Sequence, residues 1–326
     1  MNILITGGAG FIGSNAADRF IKECHRVIVV DNLITGKLKN LNPKAKFYKI
    51  DIRNREGLEG IFKENKIDII NHHAAQMDVR KSVDDPIYDA DVNILGSLNL
   101  LQLAVKYKIK KFIFASTGGA VYGEQDYFPA DEKHPQNPLS PYGISKLSLE
   151  KYLYFYKMTY NLDYTILRYA NVYGPRQDPH GEAGVVAIFA KKILKGESPI
   201  INGDGGQTRD YTFVEDVVEA NMLAIKNDIN GIYNIGTGIE TSVNELCNLM
   251  LKISDTDIKP IHGPAKMGEQ RRSVISYKKI NLEYSWTPKY SLKDGLSKTI
   301  RFFEEEQKKK IKENGEKGEK EKKEKY

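Results

Sequence analysis

The sequence predicts an α/β fold built on a doubly wound parallel sheet, followed by a smaller mixed α/β lobe. Three features predict this. Short, almost wholly apolar runs at residues 3–6, 26–31 and 111–116 alternate with stretches of helical period. Strands of that kind are buried on both faces, as in parallel sheets covered by helices. A glycine-rich turn separates the first run from the first helical stretch, and after about residue 174 the elements shorten and glycine-rich turns multiply.

Taken in order, residues 3–6 read as a first strand and 11–23 as a first helix. A second strand at 26–31 ends on Asp31, and a third covers 45–51. A helix at 56–66 leads to a strand at 67–71, and a longer helix at 89–106 to the strand at 111–116. Pro141 opens a helix whose apolar pattern continues from 144 to about 158, before a strand at 164–168. Residues 1–174 are expected to form one domain, with later segments able to return to it. Residues 175–303 form the second lobe. From residue 304 onward Lys and Glu dominate, and that tail is expected to continue the last helix and end disordered.

At 326 residues the chain has room for one large domain or two modest ones. Apolar content of 40% and charged content of 28% describe an ordinary globular protein. The net charge of +6 arises from intermixed Lys and Glu, with no basic stripe among aromatics, which argues against a nucleic-acid partner. No apolar run could span a membrane, and a strand pattern starts at once without a charged and apolar leader, so the cytoplasm is the expected location. Cys24 and Cys247 lie far apart in helix-like patterns and are expected as buried thiols; no metal site is expected.

The turn between the first strand and helix carries Gly7, Gly10 and Gly13, with Phe11 and Ile12 between them. Glycines there permit a tight turn and let backbone N–H groups approach a diphosphate at a helix N-terminus. Asp31, with Asn32 after it, closes the second strand. A carboxylate at that place accepts hydrogen bonds from ribose hydroxyls and repels a 2′-phosphate, which favours NAD over NADP. Asp51 and Ile52 end the third strand, where an adenine ring could lie.

Tyr142 and Lys146 stand four apart on the helix that Pro141 opens and therefore share a face. An ammonium beside a phenol favours the phenolate, and such a pair can move a proton at a substrate hydroxyl. Most Tyr and Lys pairs at this spacing are surface contacts. The chemical reading depends on the cofactor turn upstream.

These residues, with the run from His73 to Gln76, Asn93, Ser116-Thr117, the run from Arg168 to Asn171 and the run from Gly203 to Tyr211, resemble the extended short-chain dehydrogenase/reductase family. The likeness extends to about Phe303 and is greatest to the UDP-glucose 4-epimerase-like branch. It implies a Rossmann-type sheet, NAD as cofactor and a UDP-sugar substrate bound in the C-terminal lobe. Tyr142 is then the catalytic base and acid, and Lys146 lowers its pKa while binding the nicotinamide ribose. Thr117 bridges the sugar 4-hydroxyl to Tyr142, with Ser116 as fallback because the loop that follows is one residue longer. Ala74, Ala75, Gln76, Asn93, Ser116 and Tyr169 join the glycine turn, Phe11 and Ile12 along the cofactor path.

On the substrate side the resemblance gives Asn171, Arg209 and Arg271 to the diphosphate, and Tyr211 with the backbone at Val185 to the uridine. Ser273 stands where some relatives have a bulky Tyr, leaving room for an N-acetyl group. Met77 replaces a Lys found near the cofactor phosphates in some epimerases. Asp216 reads as a structural carboxylate.

The implied reaction is reversible 4-epimerisation of UDP-glucose and UDP-galactose through a 4-keto sugar, extending to UDP-N-acetylhexosamines. The alternative is a UDP-glucuronate 4-epimerase or decarboxylase, or another nucleotide-sugar enzyme of the same family. Nucleotide-sugar 4,6-dehydratases carry Asp-Glu after the catalytic Thr, where this chain has Gly118-Gly119. A non-catalytic, redox-sensing NAD-binding protein would be expected to lose Thr117, Tyr142 and Lys146. The helices at 89–106 and 144–158 are apolar nearly all round, and the family pairs them across a dimer, so a homodimer is expected.

Overall fold

The computed structural model describes residues 1–179, 184–265 and 270–323. In β1 (Asn2–Thr6), Ile3 and Ile5 pack into one apolar cluster and Leu4 into another, and all three are wholly buried. A strand buried on both faces needs helices on both, and the chain supplies them in alternation. α1 (Phe11–Lys22) leads to β2 (Arg26–Asp31), followed by β3 (Lys46–Lys49), α2 (Arg55–Glu64) and β4 (Ile69–His72). α3 (Val79–Asp84) and α4 (Pro86–Ala90) run through a π-helical segment, Asp91–Leu95, into α5 (Gly96–Lys106). β5 (Lys111–Thr117), α6 (Pro141–Tyr160) and β6 (Asp163–Tyr169) follow.

The second half contributes β7 (Asn171–Tyr173), α7 (Val185–Leu194), β8 (Ile200–Asn202), β9 (Thr208–Arg209) and β10 (Tyr211–Phe213). Next come α8 (Val214–Lys226), β11 (Gly231–Ile235), β12 (Thr241–Ser242) and α9 (Val243–Ile253). β13 (Ile261–Gly263), β14 (Arg272–Ser273), α10 (Lys278–Tyr284) and α11 (Leu292–Lys323) complete the fold.

The main sheet runs β11-β6-β5-β4-β1-β2-β3, with every neighbouring pair parallel. Strand order reverses between β1 and β4, which opens a crevice at their carboxyl ends, the usual ligand position in doubly wound folds. α1 and α8 cover one face, where Phe20 and Val217 join Ile5 and Val29; α2, α5 and α6 cover the other, where Leu58, Leu100 and Leu153 join Leu4 and Ile70. β11 lies beside β6, so a segment late in the chain belongs to the main sheet. The apolar faces of α7, α9 and α11 extend the α1 side of the core without a break. Small sheets pair β7 with β10, β9 with β12 and β14, and β8 with β13.

Several details depart from the sequence reading, each for a local reason. The helix expected at 89–106 is broken into α4, the π segment and α5. α6 opens at Pro141 as expected, with Ser140 accepting a hydrogen bond from Gly143 N at 3.2 Å as its cap, and runs on to Tyr160. Cys247 is buried as expected, and burial pushes its thiol up to about 11. Cys24 is exposed, contrary to expectation: α1 ends at Lys22, and Cys24 adopts φ 62 in the turn into β2. α11 runs from Leu292 to Lys323, continuing the last helix into the charged tail as expected, and the end of that tail, residues 324–326, lies outside the described residues. Asp216 is structural, accepting bonds from Lys289 N and Tyr290 N at 2.8 and 3.3 Å.

Candidate functional site

The glycine turn lies at the sheet's reversal point. Gly7 has φ 69, and a Cβ there would stand 2.7 Å from Ala74 N, so neither the backbone angle nor the loop after β4 tolerates a side chain. Gly10 caps α1 without a side-chain hydrogen bond, and the first turn of α1 holds no acidic residue. Its N–H groups are thus left to an anion. Asp31 accepts bonds from Ala9 N at 3.0 Å and Leu33 N at 2.8 Å. Burial raises its carboxyl pKa, and these two bonds offset that only in part. Asp51 receives Asn32 Nδ2 at 2.8 Å and two bonds from Arg53 at 3.0 Å, and chiefly the Arg53 guanidinium brings it down to about 2.

Tyr142, Lys146 and Glu150 lie at successive turns of α6 and have different tasks. Tyr142 and Lys146 line the same cleft as the glycine turn, Asp31 and Tyr169. Lys146 Nζ donates to Ala115 O at 2.9 Å and lies 5.8 Å from the Tyr142 ring centre and 4.8 Å from that of Phe114. Glu150 points to the sheet and binds Arg168 of β6 through two bonds, at 2.5 and 3.0 Å, with both side chains at most 1% exposed. Ser116 Oγ donates to the same carboxylate at 2.6 Å, and Arg168 also reaches Tyr122 Oη at 2.9 Å.

Cofactor residues expected from the sequence mostly meet at this cleft. Gly7, Gly10, Phe11, Ile12, Gly13, Asp31, Asn32, Asp51, Ile52, Ala74, Ala75, Ser116, Tyr142, Lys146 and Tyr169 all line it. Gln76 and Asn93 stand behind the wall instead. Asn93 closes a two-way bond with the Gln76 backbone, at 2.8 Å each way, and both side chains donate to Asp89 at 3.0 Å. Ser145 Oγ, beside Lys146 on α6, donates to Asp89 at 2.6 Å. These bonds tie the loop after β4 to α4 and α6. Ser116, with its hydroxyl committed to Glu150, is part of the α6 anchor. Thr117 lies outside the cofactor cleft, near Asn171: a Cβ on Gly119 would be 3.8 Å from Thr117 Oγ1 and 3.7 Å from Asn171 Oδ1.

Asn171, Arg209, Tyr211 and Ser273 are gathered on neighbouring strands, since Asn171 pairs with Tyr211 and Arg209 with Ser273. Arg271 precedes β14 and grips Asp204 through two bonds at 2.8 and 3.0 Å. Ser273 is 3% exposed. Asp210, buried between these strands, accepts from Thr237 N, Thr237 Oγ1 and Gly238 N, and burial raises its carboxyl pKa. Val185 opens α7.

Sequence reasoning missed part of the lining: Thr35, Lys37, His73, Arg176, Gln177 and Asp178. The last three follow Gly174-Pro175, a loop signal without a chemical one. His73 stacks on Tyr169 with ring centres 6.4 Å apart; burial, helped by the Lys146 ammonium, pushes it down to about 3 and keeps it neutral. Tyr169 is buried with its hydroxyl on Asn221, and burial raises its pKa. The uncapped turn, the buried Asp31 and the apolar wall at Ile52 fit a dinucleotide. Among the described residues, no cluster of three His, Cys, Asp or Glu could hold a metal.

Comparison with known proteins gives the same picture. Residues 3–236 match the NAD-dependent epimerase/dehydratase family. A UDP-glucose 4-epimerase from Thermotoga maritima, solved with UDP-glucose, is 51% identical with a TM-score of 0.92, covering 94% of this chain and 99% of its own. A Thermus thermophilus UDP-glucose 4-epimerase in complex with NAD is 43% identical with a TM-score of 0.89, covering 93% of this chain and 99% of its own. The UDP-glucose 4-epimerase of Mycolicibacterium smegmatis is 42% identical over 309 residues, 93% of this chain and 98% of that protein.

The α6 anchor yields a stability prediction. Glu150→Ala strands a buried guanidinium and is expected to destabilise the fold by about 3–5 kcal/mol. Replacing both partners, Glu150→Leu with Arg168→Met, should recover most of that loss. Urea unfolding checks both, and an unchanged midpoint in the single variant contradicts the anchor.

Proposed function

The chain belongs to the NAD-dependent epimerase/dehydratase family, and we propose that it is a UDP-hexose 4-epimerase, interconverting UDP-glucose and UDP-galactose with NAD held in the cleft. The observation that carries this reading is the placement of Tyr142 and Lys146, one helical turn apart, in the cleft that also holds the glycine turn and Asp31.

Tyr142 Oη takes the proton of the sugar 4-hydroxyl and returns it after the sugar has changed face. The Lys146 ammonium favours the phenolate form that accepts it. Thr117 Oγ1, near Asn171 at the junction of the two lobes, relays that proton. Bound NAD supplies reversible two-electron chemistry at C4, so a 4-keto sugar lies between the epimers. Residues 1–174, with β11, serve the dinucleotide, and residues 175–303 the nucleotide sugar. Arg209 and Arg271 hold the diphosphate, on which the sugar pivots; guanidinium suits this because it is permanently charged and binds phosphate oxygens as a fork. Arg271 exchanges Asp204 for the diphosphate. Small Ser273 leaves room for N-acetylhexosamines.

The protein acts as a cytoplasmic homodimer in this reading. Leu95 of the π segment and Ile144, Tyr154, Phe155 and Met158 of α6 are all exposed, an apolar surface that a second copy would cover. Both cysteines are unpaired, which suits a reducing compartment. Among the described residues, no helix is long and apolar enough to cross a membrane.

Purified protein given UDP-galactose, without added NAD, is expected to form UDP-glucose, and Tyr142→Phe to cut the rate at least about a thousandfold, on the scale of general acid–base catalysis, with NAD still bound. Near-normal turnover in that variant sinks the assignment. UDP-N-acetylglucosamine and UDP-glucuronate, assayed in parallel, separate the substrate classes; product from UDP-glucuronate alone favours the alternative. In light scattering, a mass near twice 36.9 kDa is expected at micromolar concentration, and a monomer contradicts the dimer.

A further inference from the structure

Arg176 combines three features that the site described so far does not use. It is a non-glycine residue at φ 74, a conformation that costs energy and tends to persist where function needs it. Its Nη2 donates to Asp18 Oδ2 at 2.6 Å, while Nη1 is buried with no hydrogen-bond partner among the described residues. It also lines the cofactor cleft with Gly10, Phe11, Ile12 and Gly13. A buried guanidinium nitrogen without a partner is costly unless a ligand satisfies it.

Nearby contacts fix where this loop lies. Asn15 Nδ2 donates both to Phe11 O, at 2.9 Å, and to Pro175 O, at 3.2 Å. The residue before Arg176 is therefore stitched to the first turn of α1, whose N–H groups carry no side-chain cap. That helix end offers a diphosphate only dipole and N–H donors, and two phosphate charges call for a cation as well. The other cations lining the cleft are engaged elsewhere: Lys37 with Asp178, and Lys146 with Ala115 O beside Tyr142. Met77, also in the lining, brings no charge.

We propose that Arg176 completes the diphosphate site of the bound dinucleotide, with Asp18 orienting the guanidinium so that Nη1 meets a phosphate oxygen. Asp18 is the positioning residue and Arg176 the contact. The inference rests on the NAD reading above, and it adds a residue of this chain's second half to the dinucleotide site.

Calorimetric titration of nucleotide-stripped, full-length protein with NAD, ADP-ribose and adenosine tests it. Arg176→Gln is expected to weaken NAD and ADP-ribose by about 10- to 100-fold, the range for losing a hydrogen bond to a charged group. Adenosine, which lacks phosphates, should bind both proteins alike, and the salt dependence of NAD binding should flatten. Arg176→Lys should fall between the two, and Asp18→Asn should weaken NAD less than Arg176→Gln. Equal NAD affinity in wild type and Arg176→Gln overturns the inference alone. Parallel losses for adenosine and NAD overturn it in favour of a purely structural loop. Wild-type protein that binds no NAD overturns both this inference and the NAD reading. Thermal melting without ligand shows whether each variant is folded; if Arg176→Gln is not, Arg176→Lys and Asp18→Asn decide.

Discussion

The buried pair of Glu150 and Arg168 is the contact on which the reactive geometry depends. Desolvating both charges is expensive, and such a pair adds little net stability over an apolar substitute, but it tolerates no misplacement of either partner. Arg168 is fixed in β6, Ser116 in β5, and both bind the one carboxylate that α6 presents. The helix is thereby set in rotation and height against the sheet. Lys146 lies one turn before Glu150 and Tyr142 two, so an ionic contact beneath the cleft fixes the proton-handling groups within it. Asp89 holds the same helix from its other neighbour, through Ser145. The reactive residues are carried by a rigid element clamped at two points, which is what a site dependent on sub-ångström placement needs.

A second constraint joins the two lobes. β6 ends at Tyr169, in the cofactor cleft, and β7 begins at Asn171, among the strands of the C-terminal lobe. Between them, Ala170 N bonds to Ile235 O of β11, and Asn171 N to Asp210 O. One short run of backbone thus passes from the dinucleotide side to the substrate side, with main-chain bonds on both flanks. Asp210, buried and saturated with donors, secures the far end. Strand pairing therefore sets where Asn171 and its neighbours stand relative to Tyr169 in the cleft.

Much of this was legible in the sequence where one residue type answers one physical need. Gly7 betrays a backbone that no side chain fits, and Asp31 a carboxylate at a strand end in the cleft. Alternating apolar runs announced a parallel sheet, and the Pro141 helix carried Tyr142 and Lys146 on one face, a spacing that gained chemical meaning only from the glycine turn upstream. What escaped reading depends on partners distant in the chain. Glu150 looks like any helical glutamate until Arg168 and Ser116 are brought beneath it. Gln76 follows the cleft residues Ala74 and Ala75, yet tertiary packing turns its side chain, with that of Asn93, to Asp89. Cys24 lies in an apolar pattern, but helix termination and a left-handed turn put it at the surface. Arg176 sits in a loop whose place over α1 rests on a hydrogen bond spanning 160 residues, from Asn15 to Pro175.

In the proposed reaction the cleft moves hydrogen off and back onto one sugar carbon while keeping it from water. UDP-galactose deuterated at C4 tests this most directly. Full retention of the label at C4 of the UDP-glucose formed is predicted, read by mass spectrometry of the product. Loss of the label to solvent as product accumulates would contradict it.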